Sequence, residues 1–204
     1  MKGLLLKDLY TLTKSLRVFL LLIVVFSCLP GLNMSVFAVV YAALLPVTAL
    51  SYDERSKWDT LAAMLPYSTR EIVLSKYLLG YGAMLGAFLI ALATHGIYGL
   101  LNVSPESEFI SSIAGGAVGG VTVMALSLPV IFKLGVEKGR IAFYVIIALL
   151  FAVVAGAETL IKGGMTELMN RIGNTAGVVA CLVIVALNLL SIFLSIRFYS
   201  RREF

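Results

Sequence analysis

The stretch SYDERSKWDTLAAMLPYSTREIVLSKYL, Ser51 to Leu78, decides how the rest of the chain is read. Charges crowd both sides of its single tryptophan and its proline. By contrast, no Asp, Glu, Lys or Arg occurs from Val18 to Leu50 or from Leu79 to Pro105. Within the stretch, Trp58, Leu61, Ala62 and Leu65 recur at i, i+3, i+4 and i+7. That spacing predicts a short helix over Asp53 to Leu65 with one apolar face, surrounded by Asp53, Glu54, Arg55, Lys57 and Asp59. Pro66 disfavours helical geometry at Leu65 and should end the element. Ser68 and Glu71 have the spacing of a capping box, so a second helix should start at once. It should continue through Ile72, Val73 and Lys76 into the apolar run beyond. The expected product is an elbow, 53–76: a short helix along a membrane surface, a proline turn and a lever entering the bilayer.

A bilayer is required by composition. The 204 residues are 60% hydrophobic and 13% charged, with a mean hydropathy of +1.01. Soluble domains are closer to half apolar and about a quarter charged. A chain of this size cannot bury so much apolar surface in one aqueous core. The long uncharged runs point to helices rather than a barrel, whose strands alternate in polarity. Six runs are long enough to span, at 18–32, 34–52, 77–101, 109–132, 141–161 and 175–196. The expected fold is all-α and polytopic, one transmembrane domain over 1–204.

Orientation follows from the distribution of cations. With both termini on one side, that side holds every Lys and Arg except Lys162 and Arg171. Positive residues collect in cytoplasmic loops, so both termini and the elbow are expected in the cytoplasm. The same rule accounts for the net charge of +5 without a nucleic-acid partner. Basic residues before an apolar run ending in Phe26-Ser27-Cys28 raise the question of a signal peptide. A bulky Phe26 suits a cleavage site poorly, and the run is expected to be retained as a span.

Residues 1–17 form their own element. Leu5, Leu9, Leu12 and Leu16 make one helical stripe, with Lys2, Lys7, Asp8, Thr11 and Lys14 on the other faces. Such a helix lies flat at a membrane surface. Pro46 and Pro129 sit within apolar runs and can kink their helices. The pairs Gly82 with Gly86, Gly115 with Gly119 and Gly116 with Gly120 permit close helix approach, within the bundle or between two copies. Met165, Leu168, Met169 and Ile172 predict a short interfacial helix before the last span.

Several chemistries have no motif here. There is no G-x-x-x-x-G-K-[ST] phosphate loop, so the chain is not expected to bind ATP in the P-loop manner. His95 has no second ligand at metal spacing, and Glu158 ends the fifth span. Cys28 and Cys181 lie in apolar runs without disulfide or metal spacing. No nucleophile–base pairing or HExxH suggests catalysis. The third and fourth spans carry no carboxylate, which counts against an ion-coupled carrier.

For Trp58 two readings stand side by side. It anchors the short helix among headgroups, or it presents that helix to a groove on another protein. The order of parts resembles the membrane subunit of type-2 ABC exporters. The elbow's Asp53-Glu54, Leu65-Pro66, Ser68-Thr69-Arg70 and Ser75-Lys76-Tyr77 are similar to compact bacterial members, in particular permeases of the phenol-soluble-modulin exporter type. The resemblance implies a permease in the bacterial cell membrane, dimeric with a second copy or a sister permease. Separate ATPase subunits would supply ATP and Mg. It implies that Asp53, Glu54, Trp58, Leu61, Leu65, Pro66 and Arg70 couple to the ATPase. Glu137, Lys138 and Arg140 in the loop 133–140 would make a second contact. The cargo would be an amphipathic or cytolytic peptide, or a lipid-like molecule. The alternatives are a membrane subunit of an ATP-driven vitamin importer and a peptide-immunity membrane protein.

Overall fold

The computed structural model describes residues 2–28, 39–100, 109–160 and 166–201. Among these residues all regular structure is helical. Helix α1 (Lys2–Thr11) is followed by α2 (Thr13–Cys28), with Leu12 at the break. The continuous element expected over 1–17 is therefore two, and residues from Thr13 onward belong to α2, which runs on into the first expected span. The Thr11 hydroxyl donates to the Lys7 carbonyl at 2.8 Å, a back-bond that bends helices.

Proline shapes the run expected to be the second span. Residues 39–42 are helical, Ala43 and Leu44 form a turn, and α3 (Leu45–Arg55) begins with Pro46 in its first turn. Pro46 has no N–H to donate and its ring crowds the carbonyl four residues back, so the helix must break before it. Pro129 behaves differently, lying inside the unbroken helix Phe109–Leu134.

The elbow divides at a place its apolar spacing does not reveal. Helix α3 continues through Asp53 and Glu54 to Arg55, and only then does α4 (Trp58–Met64) begin. Between them Lys57 adopts φ 51°, the only positive φ at a described non-glycine residue. The acidic start of the predicted 53–65 helix thus belongs to the preceding span's helix. Leu65 ends α4 with φ −97°, ψ 154°, the extended geometry that a following proline imposes. Ser68 then opens α5 (Thr69–Leu100), a single 32-residue helix. The capping box is formed: the Ser68 N–H donates to Glu71 Oε2 at 3.2 Å, and the Glu71 N–H to Ser68 Oγ at 3.3 Å.

Helix α6 (Phe109–Leu134) and α7 (Val136–Leu160) are separated by Gly135 alone, at φ 82°. The expected loop 133–140 is reduced to that one left-handed residue, which glycine adopts without steric cost. Glu137, Lys138 and Arg140 therefore lie in the first turns of α7. Helix α8 (Thr166–Ser200) is continuous over 35 residues. The short outer helix expected before the last span is its opening, while Met165 lies outside the described residues.

Helix α6 packs against α7 and α8, and α5 against α8, α3 and α2. Val73, Tyr77, Met84, Met124, Leu128 and Phe132 centre the core. Close approach is glycine-dependent at Gly80, where a Cβ would meet Met124 Sδ at 2.3 Å and Pro46 Cγ at 3.1 Å. Gly120 similarly faces Met84 and Ala43, whereas Gly82, Gly86 and Gly115 meet nothing within 4 Å. Among the described residues, three helical stretches are long and apolar enough to cross a membrane: Thr69–Ile97, Ile113–Leu134 and Cys181–Ser200. Leu85, Leu89, Leu182, Leu189 and Phe193 lie exposed along two of them, an apolar surface that lipid would cover.

Candidate functional site

Four charged side chains meet under the elbow. Lys76 of α5 donates through Nζ to both Asp8 carboxylate oxygens at 2.8 Å and to Asp53 Oδ2 at 2.5 Å. Lys7 Nζ bonds Asp53 Oδ1 at 2.5 Å and stands 2.9 Å from Asp8 Oδ1. Lys76 and Asp8 are each only 2% exposed, and Asp53 is buried beside them. Unpaired, each buried charge would cost several kcal/mol. Here two cations face two anions, so the cluster is neutral. The arrangement also offsets the poor placement of Asp53, an anion in the last turn of α3 where the helix dipole is negative. Lys7 Nζ further stands 4.2 Å from the centroid of the Trp58 ring, a cation–π contact. One cluster thereby joins α1, α3, α4 and α5.

Other bonds fix the surroundings. Glu54 Oε2 accepts the Val136 N–H at 2.7 Å, capping the start of α7, where a carboxylate is favoured. The Arg140 guanidinium donates to Ser51 Oγ at 2.7 Å. The Tyr199 hydroxyl donates to Asp59 Oδ1 at 3.0 Å, and its ring meets Phe132 edge-on at 5.6 Å. The start of α4 is thus held from α1 and from the end of α8.

The predicted apolar face of α4 is split by this packing. Ala62 is buried and Trp58 half-buried against the core. Leu61 is 52% exposed, Met64 82% and Leu65 38%. The row available to a partner is Leu61, Met64 and Leu65, and Trp58 is spent inward. Pro66, Arg70, Glu137 and Lys138 are exposed, as is Arg140 despite its bond to Ser51. On α1 the stripe also turns. Leu12 is buried and Leu5 half-buried, but Leu9 is exposed; Leu4, Asp8 and Leu12 make the inward face. The Leu16 and Glu158 side chains lie outside the described residues. His95, half-buried on α5, is remote in sequence from every residue of the elbow.

A second polar seam crosses the apolar region. The Tyr77 hydroxyl lies 2.5 Å from Ser191 Oγ and 2.9 Å from Ser195 Oγ, and the Tyr81 hydroxyl donates to Asn188 Oδ1 at 2.7 Å. Ser191 Oγ also donates to the Ala125 carbonyl at 2.5 Å. That carbonyl sits four residues before Pro129, which has no N–H to give it. A serine on α8 therefore supplies the bond that the proline removes from α6. The seam is legible in hindsight as Tyr77 and Tyr81 at i, i+4 and Asn188, Ser191 and Ser195 at i, i+3, i+7.

Among the described residues no group of three His, Cys, Asp or Glu side chains is placed to hold a metal. Asp53, Glu54, Trp58, Asp59 and Lys76 each reach a side chain or backbone group of another element, which makes the region a joint between helices. The class defined is a helical membrane protein with a charged joint at one end of its bundle. Residues 3–200 match the ABC-2 family of transporter proteins, and the chain belongs to that family. It is accordingly a membrane permease component of an ABC transporter rather than itself an enzyme. No curated protein and no solved structure matches it.

Proposed function

We propose that this chain forms the export path of an ATP-driven transporter, paired with a second permease copy and moved by ATPase subunits that dock on α4. Both termini would lie in the cytoplasm of a bacterial cell. The observation that carries the reading is the outward row Leu61, Met64 and Leu65, on a short helix whose opposite side is pinned to the bundle. An amphipathic helix with such a row suits a groove on a partner. ATP and Mg would be held by that partner. Continuity of α5 from Thr69 to Leu100 means that displacement of its foot tilts the whole helix. The seam through Tyr77 and Tyr81 would carry α8 with it.

Export of an amphipathic or cytolytic peptide is favoured by the seam between α5 and α8, where the polar side chains that meet are hydroxyls and an amide. The open helix faces at Gly82 and Gly86 leave room for a second copy. A test is co-purification of ATPase subunits with the full chain from native membranes, comparing wild type with a Leu61→Asp, Met64→Asp variant. Central apolar anchors are typically worth about 2 kcal/mol or more each, roughly thirtyfold in affinity. The ATPase should accompany wild type and be lost with the variant. Retention on the variant, or absence with wild type, would refute docking through this row.

A further inference from the structure

A groove of ≈ 380 Å³ runs between α6 and α8 on the outside of the bundle, lined chiefly by Pro129, Leu187, Leu190, Leu194 and Phe198, with Lys133 at one end. This volume lies within the range of small-ligand clefts, roughly 300–1,000 Å³. Its floor contains one hydroxyl, Ser191, which is already committed to the Ala125 carbonyl and to Tyr77. The floor is therefore dry and apolar. From Leu187 to Phe198 the helix rises about 16 Å. A single leaflet's hydrocarbon layer is about 15 Å, half of roughly 30 Å.

The cationic end lies where that layer would stop. Lys133 is exposed, with Nζ 5.2 Å from the Phe198 ring centroid. Arg201, also exposed, follows one turn beyond Phe198, its N–H bonded to the Phe198 carbonyl at 3.3 Å. Among the described residues lining the groove there is no carboxylate. An apolar channel one leaflet long, capped by cations at headgroup level, has the charge and length of one kind of molecule.

We propose that this groove binds an anionic phospholipid from the leaflet on the elbow side, its acyl chain along α8 and its phosphate at Lys133 and Arg201. A helix would need about 10 Å of width, more than a groove of this volume provides along its length. The site is independent of whether the chain exports. It places a lipid beside the Pro129 segment of α6 and the end of α8 that holds Asp59.

The test uses the full chain in detergent and native mass spectrometry, with phosphatidylglycerol and phosphatidylcholine of identical acyl chains as probes. Wild type should retain phosphatidylglycerol preferentially. Each cation near a membrane surface is worth about a fivefold change in anionic-lipid affinity. Lys133→Gln and Arg201→Gln should each lose about that much, and the pair about twenty-five-fold. Arg70→Gln, which removes an exposed elbow cation outside the groove, should lose nothing. Leu190→Trp, filling the groove from an exposed position, should release phosphatidylglycerol with both cations intact. Equal retention of the two lipids by wild type would overturn the site. So would a loss at Arg70→Gln matching that at Lys133→Gln, or lipid still held by Leu190→Trp.

Discussion

Replacing Lys76 by Met tests the reasoning about the buried cluster most directly. In the native protein Lys7 and Lys76 balance Asp8 and Asp53. Lys76→Met removes three bonds of 2.8, 2.8 and 2.5 Å and leaves a net charge of −1 in a nearly water-free space. Lys7 alone must then serve both carboxylates. Breaking a buried ion pair on one side costs about 3–5 kcal/mol. Asp8→Asn leaves the opposite imbalance and should cost a comparable amount. Making both changes restores neutrality, because the Lys7–Asp53 contact at 2.5 Å survives. The double variant should therefore be more stable than the sum of the single effects by about 2–3 kcal/mol. Unfolding in mixed detergent micelles, followed by fluorescence, reads this at the site itself, since the chain's single tryptophan is the one beneath Lys7. Single costs below about 1 kcal/mol, or strictly additive costs, would refute the view that charge balance holds α1 to α5.

Two further outcomes follow from backbone arguments. Ser191→Ala should destabilise by about 1–2 kcal/mol, and by less in a Pro129→Ala background, where residue 129 regains an N–H for the Ala125 carbonyl; the same unfolding assay compares the two, and equal losses would break the link between them. Gly139→Ala would set a Cβ 2.6 Å from Ile131 Cγ1 and 3.0 Å from its Cα, so thermal unfolding should show a loss of about 1–3 kcal/mol, whereas Gly82→Ala, open on its side, should be neutral or stabilising by up to about 1 kcal/mol.

Local signals located two helix boundaries in the elbow. Ser68 and Glu71 marked the start of α5, and Pro66 the end of α4. Each is a statement about residues within four positions of one another. The joint itself depends on pairs far apart: Asp8 and Lys76 are 68 positions apart, Lys7 and Asp53 46. Periodicity placed Lys7 and Asp8 on a polar face of α1 but said nothing about what that face meets. The same limit applies to Trp58 and Leu61. Their spacing shows that they share an apolar side of a helix, and only the position of Lys7 and the core decides which of them turns inward. Lys57 gave no warning of a break, because a left-handed lysine follows from the neighbouring helices' packing rather than from its own preference.

On the proposed docking reading, the buried cluster also determines where a push on α4 goes. The covalent route to α5 runs through Leu65, Pro66 and Tyr67, of which Leu65 and Pro66 are exposed and Tyr67 packs against the core. A non-covalent route runs beside it. Trp58 at the start of α4 lies under Lys7, Lys7 holds Asp53, and Asp53 shares Lys76 with Asp8. Displacement of α4 would therefore reach α5 at Lys76, two turns into the helix, and take α1 along with it. Asp59 and Tyr199 form a second branch, passing the same displacement to the end of α8. Since Tyr77 lies next to Lys76 and is bonded to Ser191 and Ser195, both branches converge on the α5–α8 pair, and the charged cluster is where the elbow and the bundle become one mechanical body.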